Sequence, residues 1–241
     1  MSDLSGKVVL VTGASRGIGY HAAVAAAQRG AHIVALARTV GGLEDLDDAV
    51  RAAGSEATLV PLDIRDGDGI DRLGAAIFER WGRLDGLIGN AAVLGTITPL
   101  AHLAVKDFDQ AFAVNVTANY RLIRSMDLLL RQAPAGRAAF VSSSASQSAR
   151  PFWGLYAATK AALETMVKSY SGELSTTGVK VNVFWPGAVR TAMRAKAMPG
   201  ENPDTLPHPA EVAPRLVDLI SPAFTDTAKI VDFASGRVSD L

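Results

Sequence analysis

Short runs of apolar residues alternate along the chain with longer segments in which apolar positions recur every three to four residues. Runs of four to six apolar residues predict buried strands, and the longer periodic segments predict amphipathic helices. The predicted strands cover residues 8–11, 32–37, 57–62, 84–89, 138–141, 179–184 and 228–231. The predicted helices cover residues 17–29, 42–53, 69–81, 106–132, 155–174 and 210–219.

The alternation of strands and helices decides the fold class. Strands joined by helices form βαβ units, whose right-handed crossovers build a parallel sheet covered on both faces. We therefore predict an α/β fold with a single Rossmann-like, doubly wound parallel sheet of about seven strands. Neither a repeat nor a linker interrupts residues 1–241, so one domain is predicted. Residues 198–209 carry four prolines and are predicted to be a loop, typical of a lid.

The first predicted strand continues into a glycine-rich turn that opens the first helix. Gly13, Gly17 and Gly19 have the spacing Gly-x-x-x-Gly-x-Gly, which differs by one residue from the common Gly-x-Gly-x-x-Gly dinucleotide motif. Glycine permits a positive φ and lets a ligand approach the backbone. The N–H groups and dipole of a helix N-terminus favour a pyrophosphate. The flanking strand and helix favour a phosphate site over a turn that is merely rich in glycine.

A second pattern lies at the start of the helix predicted over residues 155–174. Tyr156 and Lys160 are four residues apart, so a helix places them one turn apart on the same face. A phenol titrates near pH ~10, and a neighbouring ammonium group lowers that pKa because it favours the phenolate. The pair is a candidate acid/base device, although such a pair alone is more often a surface feature of a helix.

Together, Thr12-Gly-Ala-Ser-Arg-Gly-Ile-Gly19 and Tyr156-x-x-x-Lys160 resemble the short-chain dehydrogenase/reductase family, and the resemblance extends over residues 6–231. Two further segments follow in the family's order. They are Asn90-Ala91-Ala92, similar to the family's Asn-Asn-Ala-Gly except at Gly89 and Ala92, and Pro186-Gly187-Ala-Val189-Arg-Thr191 after the sixth strand. The resemblance implies a nicotinamide-dependent oxidoreductase that acts on a carbonyl or an alcohol.

The resemblance implies four catalytic residues, Asn115, Ser143, Tyr156 and Lys160. Tyr156 would donate a proton to the carbonyl oxygen in reduction and accept one in oxidation. Lys160 would lower the pKa of Tyr156 and bind the nicotinamide ribose, and Ser143 would hydrogen-bond the reacting oxygen. Asn115 would link Lys160 to solvent through its backbone and a water molecule. Ser143 lies thirteen residues before Tyr156, and only this spacing separates it from the other serines of a Ser-rich loop.

The resemblance also implies a set of cofactor-binding residues. Besides Tyr156 and Lys160, these are Gly13, Ser15, Arg16, Gly17, Ile18, Gly19, Arg38, Asp63, Ile64, Asn90, Ala91, Pro186, Gly187, Val189 and Thr191. Asp63 would contact the adenine, and the alternative is that it only caps the next helix.

The end of the second strand indicates which nicotinamide is used. Ala37 occupies the place where an acidic residue would bind the ribose hydroxyls of NAD, and Arg38 follows it directly. Arg38 and Arg16 could hold the 2′-phosphate of NADP with charge-assisted hydrogen bonds. The alternative is that both are solvated surface residues. We expect NADP(H), because the acidic residue is missing.

Composition and charge exclude several other classes of protein. The formal net charge is zero and the pI is about 6.9, so neither a nucleic acid nor a membrane is an expected partner. The chain has no cysteine, and its four histidines are scattered without metal-ligand spacing, so no metal site is expected. No signal peptide or apolar run of ~20 residues is visible, so the cytoplasm is the expected location.

Two function classes remain open. The first is an NADP(H)-dependent reductase or dehydrogenase for a small or medium, partly apolar molecule, and the second is a catalytically idle nucleotide-binding module. The four implied catalytic residues favour the enzyme. Phe152, Trp153 and Trp185 either wall an apolar substrate pocket or belong to the core or an interface. The substrate itself depends on predicted loops at 92–98, 144–155 and 187–209.

The helices predicted over 106–132 and 155–174 carry more apolar residues than one buried stripe needs. Family members pair these two helices across a two-fold axis, so the resemblance implies a homodimer or homotetramer. The tetramer is less secure, because residues 227–236 depart from the Asp-Gly-Gly of relatives that use the last strand as an interface.

Overall fold

A computed structural model describes residues 3–148 and 150–241 of the chain. Its strands in these ranges are β1 (Val8–Thr12), β2 (His32–Ala37), β3 (Ala57–Pro61), β4 (Gly86–Gly89), β5 (Arg137–Val141), β6 (Lys180–Trp185), β7 (Lys229–Asp232) and β8 (Val238–Asp240). Its α-helices are α1 (Gly17–Gln28), α2 (Val40–Ala52), α3 (Gly67–Trp81), α4 (Val105–Phe112), α5 (Ala118–Gln132), α6 (Ala145–Ser148), α7 (Gly154–Glu173), α8 (Ala192–Ala197) and α9 (Pro209–Asp218).

The described strands form one sheet in the order β3-β2-β1-β4-β5-β6-β7-β8, and only the pairing of β7 with β8 is antiparallel. Every residue of β1 and β5 is buried, as expected for strands covered on both faces. Helices α1, α2 and α9 form one core with the sheet, and α3, α5 and α7 form the other. The predicted doubly wound α/β fold is confirmed.

The strand order reverses between β1 and β4. In open α/β sheets, ligands bind outside the carboxyl ends of the strands at such a reversal. The first helix of the fold begins at this edge, because α1 follows β1 after a turn of four residues. The topology therefore places the glycine-rich turn, and the segments after β4, β5 and β6, around one opening.

Two parts of the chain differ from the predicted elements. The sheet gains an eighth strand, β8, which the pattern missed because its three residues are exposed and include only one apolar side chain. The segments predicted as loops at 144–155 and 187–209 contain α6 and α8, which are short and lack a clear apolar stripe. Residue 149 of the first segment lies outside the described residues.

The helix predicted over 106–132 is divided by a π-helical segment at Ala113–Thr117, between α4 and α5. Asn115 lies in the middle of this segment and is buried. A π segment widens the helix by one residue per turn and often occurs at functional sites. The spacing of apolar residues along the sequence does not reveal the π segment, because apolar residues continue through it.

In the described ranges, no helix is both long and apolar enough to cross a membrane.

Candidate active site

A cleft of about 1020 Å³ opens at the carboxyl ends of the strands. It is lined by the glycine-rich turn and by the segments that follow β2, β3, β4, β5 and β6. Nearly all of the predicted site residues line it; the exceptions are Gly19 and Asn115, which lie behind its wall. The strand order thus brings together residues that are more than a hundred positions apart in the sequence.

The glycine-rich turn fits closely against the segment after β4. Gly13 has a φ of 66°, and a Cβ there would lie 3.0 Å from both Ala91 Cα and Asn90 Nδ2. A Cβ on Gly19 would overlap Asn90 Nδ2 and the carbonyl oxygen of Gly13. Gly19 therefore supports the turn from behind and is not replaceable by a residue with a side chain.

Asn90 and Thr12 fasten β4 to β1 at the reversal of strand order. The side chain of Asn90 donates from Nδ2 to the carbonyl oxygen of Thr12 at 2.9 Å. Thr12 Oγ1 accepts from the backbone N–H groups of Asn90 at 3.0 Å and Ala91 at 3.1 Å. These bonds hold the floor of the cleft in place.

Gly89, at the end of β4, pairs with Phe140 of β5. A Cβ at residue 89 would lie 2.5 Å from Phe140 Cδ1, 2.8 Å from its Cε1 and 3.0 Å from Asn119 Oδ1. Asn119 Oδ1 is buried and has no hydrogen-bond partner among the described residues. The aromatic ring thus occupies the space into which a side chain at residue 89 would project.

The far end of the cleft is cationic. Arg16 and Arg38 line it, and the side chain of Arg38 is 61% exposed, with Nη1 3.9 Å from Asp63 Oδ2. Arg65 donates from Nη2 to Asp63 Oδ2 at 2.6 Å, and its hydrogen bonds lower the pKa of Asp63 to about 2. The alternative role for Asp63 as a helix cap is wrong, because Asp66 caps α3 by accepting from the Gly69 N–H.

Tyr156 and Lys160 lie one turn apart at the start of α7. Lys160 Nζ is 5.7 Å from the centroid of the Tyr156 ring and donates to the carbonyl oxygen of Val141 at 2.8 Å. Val141 ends β5, and Ser143 follows it by two residues. The Ser143 hydroxyl lies near enough to the Tyr156 phenol to influence its pKa. The structure therefore groups Ser143, Tyr156 and Lys160 on one wall of the cleft.

The protonation states of this group follow from its burial. Removal from water raises the pKa of Tyr156 to about 12, and the nearby Ser143 hydroxyl acts in the opposite direction. The expectation that Lys160 lowers the pKa of Tyr156 is therefore wrong for this structure, because burial dominates. Removal from water lowers the pKa of Lys160 to about 8, and the Glu164 carboxylate acts in the opposite direction. At neutral pH, Tyr156 is thus a phenol with a proton to donate and Lys160 is mainly cationic.

Asn115 is held by its side chain and forms no hydrogen bond with Lys160 among the described residues. Its Oδ1 accepts from the Val93 N–H at 2.8 Å, and its Nδ2 donates to Val93 O at 2.9 Å and to Thr159 Oγ1 at 3.0 Å. The Asn115 carbonyl oxygen accepts from Asn119 Nδ2 at 2.8 Å. Asn115 therefore ties the segment after β4 to α7, and its link to Lys160 through water stays a prediction.

The segment after β6 closes the cleft opposite Tyr156. Gly187 turns the chain with a φ of 74°, and Val189 is buried beneath it. Thr191 caps α8, because its Oγ1 accepts from the Arg194 N–H at 3.1 Å. The Thr191 methyl group lies 3.6 Å from where a Cβ on Gly17 would stand. These residues face the glycine-rich turn across the cleft.

The three aromatic residues considered as pocket walls have different places. Trp153 lines the cleft, edge-on to Tyr156 with the ring centroids 6.2 Å apart. Phe152 is exposed and does not line the cleft, and Trp185 lies behind the wall, where its Nε1 donates to Glu164 Oε1 at 2.7 Å. Only Trp153 is thus placed to touch a substrate, beside Leu94, Val114 and Met193.

Some residues near the cleft were not singled out from the sequence. His21 and His208 both line it, with ring centroids 4.9 Å apart, and His208 also caps α9. The pattern His208-Pro-Ala-Glu211 before an apolar run is a capping signal, and it accounts for the start of α9 one residue before the predicted position 210. Glu164, four residues after Lys160, could have been noted from its spacing. The described residues hold no cluster of three or more metal-binding side chains.

Comparison with known proteins gives a consistent result. The model of a family described as short chain dehydrogenase matches residues 7–202. The uncharacterized oxidoreductase YciK of Escherichia coli is 35% identical over 214 residues, covering 88% of this chain and 84% of that protein. A short chain dehydrogenase structure from Pseudomonas syringae has a TM-score of 0.93 and 38% identity, covering 96% of each chain. One from Escherichia coli complexed with NADPH has a TM-score of 0.91 and 33% identity, covering 96% and 98%.

Proposed function

Since the chain belongs to the short chain dehydrogenase family of nicotinamide-dependent oxidoreductases, we propose that it transfers a hydride between NADP(H) and a carbonyl or secondary alcohol. The observation that carries this proposal is the grouping of Ser143, Tyr156 and Lys160 on one wall of the cleft, opposite the glycine-rich turn. A binding module without activity has no need for an acid, a cation and a hydroxyl group at one point.

The glycine-rich turn fits a dinucleotide. Gly13 packs too closely on the segment after β4 to carry a side chain, and it lines the cleft where a ligand would lie. Arg16 precedes α1 as its N-cap and makes no side-chain cap, which leaves the first N–H groups of α1 available for a pyrophosphate. The bound nicotinamide would supply or accept the hydride, and the chain would supply orientation and protons.

The proton chemistry suits reduction at neutral pH. Tyr156 retains its proton, because its pKa is raised to about 12, and it would donate this proton to the carbonyl oxygen as the hydride arrives. The Ser143 hydroxyl would hydrogen-bond the same oxygen, and the Lys160 cation would stabilise the phenolate that remains. Lys160 donates one hydrogen bond within the protein, so its other N–H groups remain for the nicotinamide ribose.

NADP(H) is favoured over NAD(H) by the cationic end of the cleft. β2 ends at Ala37, which has no carboxylate to bind ribose hydroxyls, and Arg38 and Arg16 lie beside it. An exposed guanidinium with only a distant carboxylate partner at 3.9 Å is free to turn to a phosphate. A similar structure from Escherichia coli contains NADPH, which supports the same preference.

The substrate end of the cleft combines apolar and polar walls. Trp153, Leu94, Val114 and Met193 are apolar, whereas Gln110 and Asp107 are polar. This wall suits a small or medium, partly apolar carbonyl compound.

The proposal is tested by following NADPH oxidation with a panel of aldehydes, ketones and quinones. Tyr156→Phe removes the transferable proton with little change of shape, so we expect kcat to fall about a hundredfold or more while NADPH affinity is retained. Tyr120→Phe, at an exposed position on α5, is the matched control and should keep wild-type turnover. Near-normal turnover of Tyr156→Phe would assign the proton to another group. NADPH binding without turnover of any panel member would favour the idle binding module.

We also infer at least a homodimer through α4, α5 and α7. Phe108 on α4 and Leu128 on α5 are exposed, beyond the stripe that packs on the sheet. The tetramer is favoured only somewhat. Its second interface would use the last strand, and β8, at the edge of the sheet, is short and exposed. Light scattering at micromolar concentration should give a mass of at least twice 25.2 kDa. A monomer would contradict the inference.

A further inference from the structure

Glu164 is a buried acid that the proposed chemistry does not use. It lies on α7, one turn after Lys160 and two turns after Tyr156, and only 8% of it is exposed. It does not line the cleft. An acidic side chain is rarely buried unless its charge is compensated by hydrogen bonds or a nearby cation. Its position therefore calls for a physical reason.

The Glu164 carboxylate joins the ends of two strands. Its Oε1 accepts from Ser142 Oγ at 2.6 Å and from Trp185 Nε1 at 2.7 Å. Ser142 directly precedes Ser143, and Trp185 directly precedes the Pro186-Gly187 turn. Hydrogen bonds to an ionised carboxylate are roughly twice as strong as neutral ones. One carboxylate oxygen thus sets the spacing between the serine wall, the turn after β6, and α7.

Glu164 is also the acid nearest to the Lys160 ammonium group along α7. Lys160 is only 2% exposed. Within the described ranges, Lys160 and Glu164 do not form an ion pair with a nitrogen–oxygen distance of 4.0 Å or less. Lys160 donates to the Val141 carbonyl instead, so the carboxylate acts on it through space. Inside a protein such an interaction is stronger than in water.

Other titratable and charged groups also lie on the elements around Lys160. They are Tyr156, Lys168, Tyr170 and Glu173 on α7 itself, Lys106, Asp107 and Asp109 on α4, Tyr120, Arg121, Arg124, Asp127 and Arg131 on α5, Arg137 at the opposite end of β5, and Lys180 at the start of β6. Of all these, Glu164 is the group whose charge raises the pKa of Lys160 against the effect of burial. Its removal would leave the ammonium group buried without a compensating charge.

We propose that Glu164 is a positioning residue of the active site: its carboxylate fixes the ends of β5 and β6 around Ser143 and serves as the buried counter-charge of the Lys160 ammonium group. The inference rests on the proposed function for its catalytic consequence only. The effect on Lys160 does not require a substrate and can be measured directly.

The direct test is an NMR titration of Lys160. Lysine labelled with carbon-13 at Cε gives one resonance per residue, and the Lys160 resonance is identified by its absence from Lys160→Arg. We expect a wild-type midpoint near the pKa of about 8. Glu164→Gln keeps a hydrogen-bond acceptor but removes the charge, and the Lys160 midpoint should fall by about one unit. Glu173→Gln, an equal charge change at an exposed position on α7, should move it by less than ~0.2 unit.

The kinetic test follows kcat against pH in the direction of reduction. Because the cationic form of Lys160 is the assisting one, the pH above which kcat declines should move down by the same amount in Glu164→Gln. If Glu164 had a purely structural role, Glu164→Gln would be less stable, but the pH above which kcat declines (the alkaline limb of the profile) would not move. Trp185→Phe removes one hydrogen bond but keeps the charge, so its alkaline limb should stay in place while kcat falls several-fold.

An unchanged Lys160 midpoint in folded Glu164→Gln overturns the proposal. If Glu164→Gln does not fold, a triple variant with Glu164→Met, Ser142→Ala and Trp185→Phe replaces the polar cluster by apolar groups of similar volume. The titration midpoint of Lys160 is then measured in this triple variant. A fall supports the proposal and no fall overturns it. The outcomes are separable from the proposed function: a wild type that oxidises no NADPH with the whole panel defeats that function, whereas the titration still decides the role of Glu164.

Discussion

Strand β5 has a buried cation at each end, and the protein holds the two cations in opposite ways. At its start, the Arg137 guanidinium donates to four backbone carbonyl oxygens, those of Gly136, Gly178, Pro222 and Phe224, at 2.9–3.1 Å. At its end, the Lys160 ammonium group donates to one, that of Val141, at 2.8 Å. Both residues are buried, and burial lowers the pKa of both.

The difference separates a structural end of the sheet from a ligand-binding end. The donors of Arg137 are directed at the turns around it, so this end is closed by the chain itself. Lys160 has three donors and gives one to the described part of the chain, which leaves two for a ligand in the cleft that it lines. A buried cation with unused hydrogen-bond donors is a cost in the folded state and an advantage when a ligand arrives. Three substitutions, and the pH dependence of the third, test this distinction.

The largest effect is expected at the closed end. Arg137→Met leaves four carbonyl groups without their donor, so the free energy of unfolding should fall by about 4 kcal/mol. Denaturant unfolding followed by tryptophan fluorescence measures it. Arg124→Met, at an exposed position on α5, is the matched control and should change stability by less than ~0.5 kcal/mol. A loss below ~1 kcal/mol in Arg137→Met would show that water replaces the guanidinium.

An exposed cation at the ligand-binding end should affect binding and leave stability unchanged. Arg38→Asp removes a charge-assisted contact with the 2′-phosphate and adds repulsion, so the Kd for NADPH should rise about tenfold to a hundredfold. The Kd for NADH should rise less than ~threefold, since NADH lacks that phosphate. Fluorescence titration measures both values, with Arg72→Asp on α3 as the control. Equal losses for both cofactors would contradict the assignment of Arg38.

Replacing Lys160, the buried cation of the ligand-binding end, should change the free energy of unfolding in the opposite direction to replacing Arg137. Lowering of the Lys160 pKa from 10.5 to about 8 corresponds to a cost of roughly 3 kcal/mol. Lys160→Met removes this cost and loses one hydrogen bond worth about 1 kcal/mol. We expect the variant to be more stable than wild type by about 2 kcal/mol at pH 7, with its activity lost. A less stable variant would refute the view that Lys160 strains the fold.

The smallest effect is a dependence of that stability difference on pH. The folded pKa of Lys160, about 8, lies below its usual 10.5, so the cost is complete below pH 8. Between the two values the unfolded chain binds more protons, and wild-type stability should rise relative to Lys160→Met. The gap between the two proteins should therefore close as the pH rises from 8 towards 10.5. A gap that stays constant over this range would assign the effect to packing.

What the sequence predicts well is what depends on local spacing. The turn from Gly13 to Gly19 and the pair Tyr156 and Lys160 are each defined within eight residues, and both lie as expected. The alternation of apolar runs predicts the parallel sheet for the same reason, since each βαβ unit is a local pattern.

What the sequence does not predict depends on contacts between distant segments. The bonds of Glu164 to Ser142 and Trp185 span about twenty residues in each direction and require the fold to be known. The cap of α3 is Asp66, although Asp63 is also a plausible cap from position alone. The π segment around Asn115 is stabilised by hydrogen bonds of Asn115 to Val93 and Thr159. The spacing of apolar residues in the sequence does not reveal these bonds.

The contact between Gly89 and Phe140 has a consequence for how the sequence can evolve. A side chain at 89 overlaps the ring at 140, so the first substitution on any path to the Asn-Asn-Ala-Gly pattern must be a smaller residue at 140. The reverse order passes through an intermediate with two groups in one space. The contact therefore fixes the order of the two substitutions: residue 140 becomes smaller before residue 89 gains a side chain, and the opposite path loses the side chain at 89 first.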